Sequence, residues 1–234
     1  MSAVLGRAET ETETDPQVQL AGAQKTIAPT ARFQILELED KYRSLALALA
    51  STLVSLVDLR DSYTGGHSTR VASYSRLIAT ELDLSDAEVE RIILAASLHD
   101  IGKIGVPDHI LLKEGRLTDE EMEHMRRHSE FGWAVLRDCN GFEEAGLMLL
   151  HHHERIDGNG YPGRLSGSDI PLGARIIAVC DTYDALTTNR PYRKARTHEE
   201  AVKEIFRCAG AQHDRLVVDA FLSAIHAKEL ARSI

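Results

Sequence analysis

Residues 97–105 read "SLHDIGKIG", and the interpretation of the whole chain turns on the His99-Asp100 pair inside that stretch. The run just before it, Ile92, Ile93, Leu94, Ala95 and Ala96, is a helix heading into a core. At helical spacing His99 falls on the stripe of Ile92 and Ala96. An ionised carboxylate taken out of water without a partner costs several kcal/mol, so Asp100 requires a cation or a set of donors around it.

Other histidines carry the same signature. His67 precedes Val71, Tyr74 and Ile78, and His128 sits at helical spacing from Met125, Phe131 and Val135. His152 and His153 close a helix bearing Met148, Leu149 and Leu150, and Asp181 lies one turn after Ile177 in the apolar run from Ala174 to Leu186. One inward histidine is an ordinary core residue. Five histidines with two aspartates on inward faces would leave the interior full of unpaired polar groups unless metal ions held them.

The seven side chains exceed one coordination sphere, which points to two ions. A natural partition gives His67, His99 and Asp181 to one ion and His128, His152 and His153 to the other. Asp100 would bridge, because a carboxylate has two oxygens. Nitrogen and oxygen donors without thiolate suit Fe, Mn, Zn, Co or Ni. Two divalent ions against two carboxylates leave roughly +2, a charge that attracts phosphate oxygen. A metal pair also lowers the pKa of bound water and clamps the attacking and leaving oxygens of an in-line displacement. Phosphoester hydrolysis is the chemistry this set implies.

Composition bounds the setting. The 234 residues, 43% hydrophobic and only 5% aromatic, allow one large domain plus a tail, and the abundance of Ala, Leu, Glu and Arg favours an all-helical core. A formal charge of -9 argues against gripping long nucleic acid by counterion release, so a phosphate-bearing ligand should be small. Cys139, Cys180 and Cys208 lack CxxC spacing, which indicates neither a disulfide framework nor a thiolate zinc site and predicts a reducing, cytoplasmic location. The greasy run from Leu45 to Val57 is broken by Ser51, Thr52 and Ser55 and falls short of the about 20 apolar residues that cross a bilayer. No secretory signal is evident, and a soluble protein is expected.

Residues 1–30, with alternating Glu and Thr from Glu9 to Thr14, read as a flexible tail. Residues 31–61 carry Phe33, Leu36, Leu38, Tyr42, Leu45, Leu49, Leu53 and Leu56 at spacings near three and four, a lead-in helix that would pair with a second subunit or an upstream domain, or pack on its own domain. Residues 62–234 hold the remaining helices. Ser85 with Glu88, Thr118 with Glu121, and Thr197 with Glu200 have the capping-box spacing that starts a helix. Between Glu154 and Leu172 the Gly- and Pro-rich run predicts a long loop of the kind that carries function.

The ordered series His67, His99-Asp100, Asp181 resembles the HD phosphohydrolase superfamily. The further stretches "HDIGKIGVPD" (99–108), "HHHERIDGNGYP" (151–162) and "DTYDALTTNRPYR" (181–193) resemble its HD-GYP subfamily, over about Asp58 to Leu222. The resemblance implies an all-α HD bundle enclosing a binuclear metal site, with Fe or Mn ahead of Zn, Co or Ni, and a phosphodiesterase acting on cyclic di-GMP. It carries the metal ligands to His67, His99, Asp100, His128, His152, His153 and Asp181, the set reached above from inward faces. Asp100 and Lys103 would be catalytic, and Gly160, Tyr161, Pro162, Asp184, Arg190 and Arg193 would meet substrate. Some members of the family have a glutamate four residues before the first histidine and hold a third metal with it. Tyr63 stands there in this chain, which implies two metals and the linear dinucleotide pGpG in preference to GMP. Homodimerisation through 31–61 and signalling partners at the Gly-Tyr-Pro loop are further expectations. The alternative is a catalytically weak cyclic-dinucleotide receptor or partner-binding module.

Overall fold

Three helix starts are fixed by reciprocal capping. Ser85, Thr118 and Thr197 each accept the backbone NH of the glutamate three residues on, and that glutamate's carboxylate returns to the cap's own NH. The computed structural model describes residues 29–60, 66–189 and 193–232. In chain order its helices are α1 (Pro29–Arg60), α2 (His67–Glu81), α3 (Asp86–Leu98), α4 (Asp108–Leu111), α5 (Asp119–Arg126), α6 (His128–Leu136), α7 (Glu143–Leu150), α8 (Leu172–Thr187), α9 (His198–Arg207) and α10 (Arg215–Arg232). A 3-10 turn, Ile101–Gly105, links α3 to α4. Among the described residues there is no strand, only the isolated bridges Asp157 to Ser166 and Ala209 to His213. The fold is all-α, as composition and periodicity predict.

The chain divides into two compact units, Met1–Ala46 and Leu47–Ile234. Within the first, residues 1–28, where the flexible tail was expected, lie outside the described residues, and 29–46 form the first half of α1. Phe33, Leu36, Leu38, Tyr42 and Leu45 are exposed there.

The second unit is a helical bundle. Its main core joins Val71 and Ile78 of α2, Ile92 and Ala95 of α3, Ile176 and Ile177 of α8, and Val217 and Phe221 of α10. A smaller cluster packs Val54 and Val57 of α1 against Leu98, Ile101, Leu136 and Leu149. Burying a Val is worth about 1.5–3 kcal/mol, so these two side chains suffice to dock the last turns of α1 on the bundle. The second unit starts inside the lead-in helix, at Leu47. No helix of the described residues is long and apolar enough to cross a membrane.

Candidate metal centre

The donors come from the ends of helices and from the middle of one. His67 is the first residue of α2, His99 and Asp100 follow α3, His128 opens α6, His152 and His153 follow α7, and Asp181 lies within α8. His67, His99, His128 and His152 are all buried. Their rings share one orientation device. Nδ1 of His99 pairs with the carbonyl of Ala96 at 2.8 Å, Nδ1 of His128 with that of Met125 at 2.8 Å, and Nδ1 of His152 with that of Leu149 at 2.6 Å. Each partner is three residues back on the same chain, so local geometry alone sets the ring. Nδ1 of His67 meets Oδ2 of Asp184 at 2.7 Å instead. With the proton on Nδ1, donating outward, the Nε2 lone pair is left free to bind a metal.

Those Nε2 atoms converge. His67 and His99 approach to 3.2 Å, and His128 and His152 to 3.5 Å. Two nitrogens that bind one cation at about 2.1 Å lie about 3.0 Å apart at right angles and about 3.4 Å apart at a tetrahedral angle. The spacing is that of adjacent corners of a coordination polyhedron, and the residues fit a metal. Two groups of donor atoms, each within 4.8 Å, can be drawn: His67, His99 and Asp100, and His128, His152 and His153. Asp181 Oδ1 is 3.4 Å from His67 Nε2. Asp100 lies between the groups, with Oδ2 at 3.5 Å from His99 Nε2 and 3.8 Å from His67 Nε2, and Oδ1 at 3.7 Å from His128 Nε2. This arrangement fits a bridging carboxylate and the partition expected from sequence.

The electrostatics of the protein groups agree. Burial opposes ionisation of Asp100, but Lys103 and the histidines around it hold its carboxyl well below the usual range. Asp181 is treated alike: burial opposes its ionisation, and the hydrogen bond from His67 together with the charges of His67, His99 and His153 outweighs it and lowers its pKa. Burial pushes the pKa of His128 and His152 down, and that of His153 to about 3, so these rings are neutral. His67 is also disfavoured as a cation by burial, yet Asp181 and Asp184 more than reverse this and raise it to about 10.

Lys103 sits on the 3-10 turn with Nζ 2.8 Å from Asp100 Oδ2. Gly102 lets that turn lie against α6, since a Cβ there would stand 1.8 Å from the His128 carbonyl oxygen. Arg60, the last residue of α1, clamps the turn from outside. Its guanidinium donates to the carbonyls of Lys103 (3.1 Å), Ile104 (2.7 Å) and Val106 (2.6 Å) and twice to Asp108 Oδ1, at 2.9 and 2.6 Å.

The Gly-Tyr-Pro loop forms the other wall. Tyr161 stacks on His153 with ring centroids 4.7 Å apart, and the Arg126 guanidinium lies 5.5 Å from the Tyr161 centroid. Burial raises the pKa of the tyrosine hydroxyl. Gly160 permits this approach, because a Cβ there would meet Glu154 Cα at 2.4 Å. Pro162 follows Tyr161 through a cis peptide. Glu154, itself buried, accepts the backbone NH of Gly163 at 2.6 Å and of Leu165 at 3.1 Å, which ties the loop down. A cavity of about 310 Å³ is lined by Arg126, His152, His153, Tyr161 and Asp181, among others.

Two expected substrate contacts, Asp184 and Arg193, are not among the residues that line this cavity. Asp184, expected to face the cavity, is buried and accepts from Arg70 Nε at 2.5 Å as well as meeting His67, so it orients a ligand histidine. Arg193 is exposed and donates to the carbonyl of Ala185. Arg190 lies outside the described residues, as does Tyr63. Sequence reasoning missed Arg60, Arg126 and Glu154. The arginines read as surface charges, and only the position of Glu154 directly after the ligand histidines hinted at a role.

Comparison with known proteins identifies the family. The HD domain family matches residues 51–217. The cyclic di-GMP phosphodiesterase response regulator RpfG of Xanthomonas campestris pv. campestris is 44% identical over 174 residues, covering 74% of this chain and 46% of that protein. The 3′3′-cGAMP-specific phosphodiesterase 3 of Vibrio cholerae is 40% identical over 167 residues, covering 71% of this chain and 36% of that protein. The chain thus spans less than half the length of these curated relatives. Among solved structures, Bd1817, an HDG"Y"P protein from Bdellovibrio bacteriovorus, superposes with a TM-score of 0.59 at 21% identity, covering 80% of this chain and 60% of that one, a likeness of fold.

Proposed function

The chain belongs to the HD domain family, with the motifs of its HD-GYP subfamily, and from that premise we propose that it is a metal-dependent phosphodiesterase that opens a 3′–5′ phosphodiester bond of cyclic di-GMP, giving mainly pGpG. The observation that carries the reading is Asp100 lying between two groups of imidazole donors whose Nε2 atoms converge. A pair of divalent ions held there, Fe or Mn by preference, would supply an acidified water and a clamp for the phosphoryl oxygens. Asp100 would bridge the ions, with Asp181 and the five histidines completing the shell. Lys103, its ammonium 2.8 Å from Asp100, is poised to protonate the departing 3′-oxygen. Tyr161 and Arg126 offer a stacking face and a cation to the substrate beside His153. With tyrosine at position 63 we infer two ions and release of the linear dinucleotide before a second cleavage. A cytoplasmic setting suits both the reduced cysteines and a nucleotide substrate.

We further infer a homodimer through α1, because the exposed Ile35, Leu38, Tyr42, Leu45 and Leu49 recur at the alternating three- and four-residue spacing of a coiled-coil seam, with Leu56 one heptad beyond Leu49. Light scattering on the intact chain should give twice the monomer mass, and Leu45→Glu should halve it.

The deciding experiment is anaerobic purification, metal quantitation, incubation with cyclic di-GMP or 3′3′-cGAMP, and separation of products. Two ions per chain with pGpG as the main product is the expected result, and Asp100→Ala should lose both the metal and the turnover. Tight binding without hydrolysis would establish the receptor instead, and faster cleavage of 3′3′-cGAMP would reassign the substrate.

A further inference from the structure

His213 is a buried histidine that the metal centre does not use. It is 2% exposed, and neither its Nδ1 nor its Nε2 has a hydrogen-bond partner among the described residues. It also lines the same cavity as His152, His153, Tyr161 and Asp181. An unpaired buried polar group costs about 1–3 kcal/mol, so a ring kept in this state calls for a partner from outside the chain.

The ring is held in the wall by its backbone. The NH of His213 donates to the Cys208 carbonyl at 3.1 Å, and its own carbonyl accepts from Gly210 at 2.8 Å. The same turn is stitched to the loop that leads to Gly160 and Tyr161, since Ile156 NH donates to the Gln212 carbonyl at 3.3 Å and Asp157 NH to that of Ala211 at 3.0 Å. Arg155 adds a side-chain tie, paired with Asp157 at 2.6 Å and reaching Gln212 Oε1 at 3.4 Å. These contacts fix the backbone from which the ring projects.

The chemistry of the missing partner follows from the ring. Burial, then the Arg155 charge, lowers its pKa to about 4, so at neutral pH one nitrogen donates and the other accepts. A neutral imidazole is a poor mate for phosphate, and His213 belongs to neither donor group of the metal centre. A sugar hydroxyl or a purine edge offers the complementary donor and acceptor. The cavity, about 310 Å³, lies at the lower end of the range for small-molecule sites.

We propose that His213 is a substrate-positioning residue that hydrogen-bonds the nucleoside flanking the scissile phosphate from the cavity wall beside His152, His153 and Asp181. The assignment rests on the cyclic-dinucleotide reading above and deepens it. It separates the binding of the nucleoside, which it gives to His213, from the chemistry at phosphorus.

The test uses the metal-loaded full chain and two variants. His213→Phe keeps an aromatic ring without polar atoms, and His213→Gln restores a donor and an acceptor. For cyclic di-GMP, His213→Phe should lower kcat/KM by about 10- to 100-fold, mostly through KM, and weaken calorimetric binding by a similar factor. The loss on bis(p-nitrophenyl) phosphate, which carries no nucleoside, should be at least tenfold smaller, and His213→Gln should recover part of the affinity. Metal content should hold and the Tm should stay level or rise, because an unpaired polar group has been removed. Unchanged affinity for cyclic di-GMP in His213→Phe would overturn the assignment. So would equal losses on both substrates, or a loss of metal or of Tm, each of which indicates a structural role. A wild-type protein that binds cyclic di-GMP without cleaving it would overturn the proposed activity alone, and the binding comparison would still decide His213.

Discussion

Two hydrogen bonds of one residue, Asp184, show how far the metal centre is built from behind. It receives His67 Nδ1 at 2.7 Å and Arg70 Nε at 2.5 Å, so the carboxylate both aims the ring and is itself held. Removing its charge in Asp184→Asn should weaken metal binding by about 10- to 100-fold, measured by competition with a chromophoric chelator. Lys103→Ala bears on the reaction and not on the ligands: kcat should fall by about 100-fold with the metal content retained. Equal falls in metal and in kcat would show that the lysine serves the site only by partnering Asp100. His67 gives a proton-linked signature. Its pKa in the metal-free fold is about 10, above the ordinary 6.5, so the ring is charged at pH 7 and must shed its proton to bind a metal. Calorimetry in buffers of different ionisation enthalpy should therefore detect release of about one proton per chain on metal loading at pH 7. The sequence exposed the seven candidate ligands because each interrupts an apolar face. Inward faces picked Asp181 as a ligand, while the family resemblance gave Asp184, three residues on, to the substrate. In the fold Asp184 meets His67 and is held there by Arg70, a contact 114 residues distant in the chain.

At the level of elements, what was legible is what local chemistry determines. The capping boxes at Ser85, Thr118 and Thr197 close within four residues, and the three short His-to-carbonyl contacts span only three. What the end of α1 docks on was not legible, because the anchoring of Val54 and Val57 depends on Leu98 and Leu149, which no periodicity reveals. His213 escaped for a similar reason: within Ala-Gln-His-Asp it reads as loop, and only the fold turns it toward the cavity. The 3-10 turn is the most exposed dependency among the elements. It carries Lys103 yet its carbonyls are steadied from outside by Arg60, which also pairs with Asp108. Arg60→Ala should reduce turnover by about 10- to 100-fold, the scale of an ångström-sized displacement, while two ions per chain remain bound. Steady-state kinetics alongside metal analysis would check it, and unimpaired turnover would show that the turn holds its shape unaided.

For the molecule as a whole, the donors run from His67 to Asp181 and tie α2, α3, α6, α7 and α8 to one point. Ions bound there favour the folded state over the unfolded one. At 100 times Kd each site adds about 2.7 kcal/mol, or about 5–10 °C in Tm for a chain of this size. Stripping the metal with chelator and following calorimetric unfolding should show a loss of that order. The metal-free protein should itself lose stability as the pH falls below 6.5, where the unfolded chain takes up protons that His153, with a folded value of about 3, refuses. A metal-free protein as heat-stable as the loaded one would mean that the bundle gains nothing from its ions.

The bolt that Arg60 makes between α1 and the Lys103 turn also gives the helix an angular memory. An α-helix advances about 100° per residue, so Val54, Val57 and Arg60, three residues apart, fall within one arc of about 120°. Two residues added between Val57 and Arg60 would swing the guanidinium by about 200°, to nearly the far side, while four would bring it back to within about 40°. The phase of those three residues, more than the length between them, is then what keeps the guanidinium on the turn.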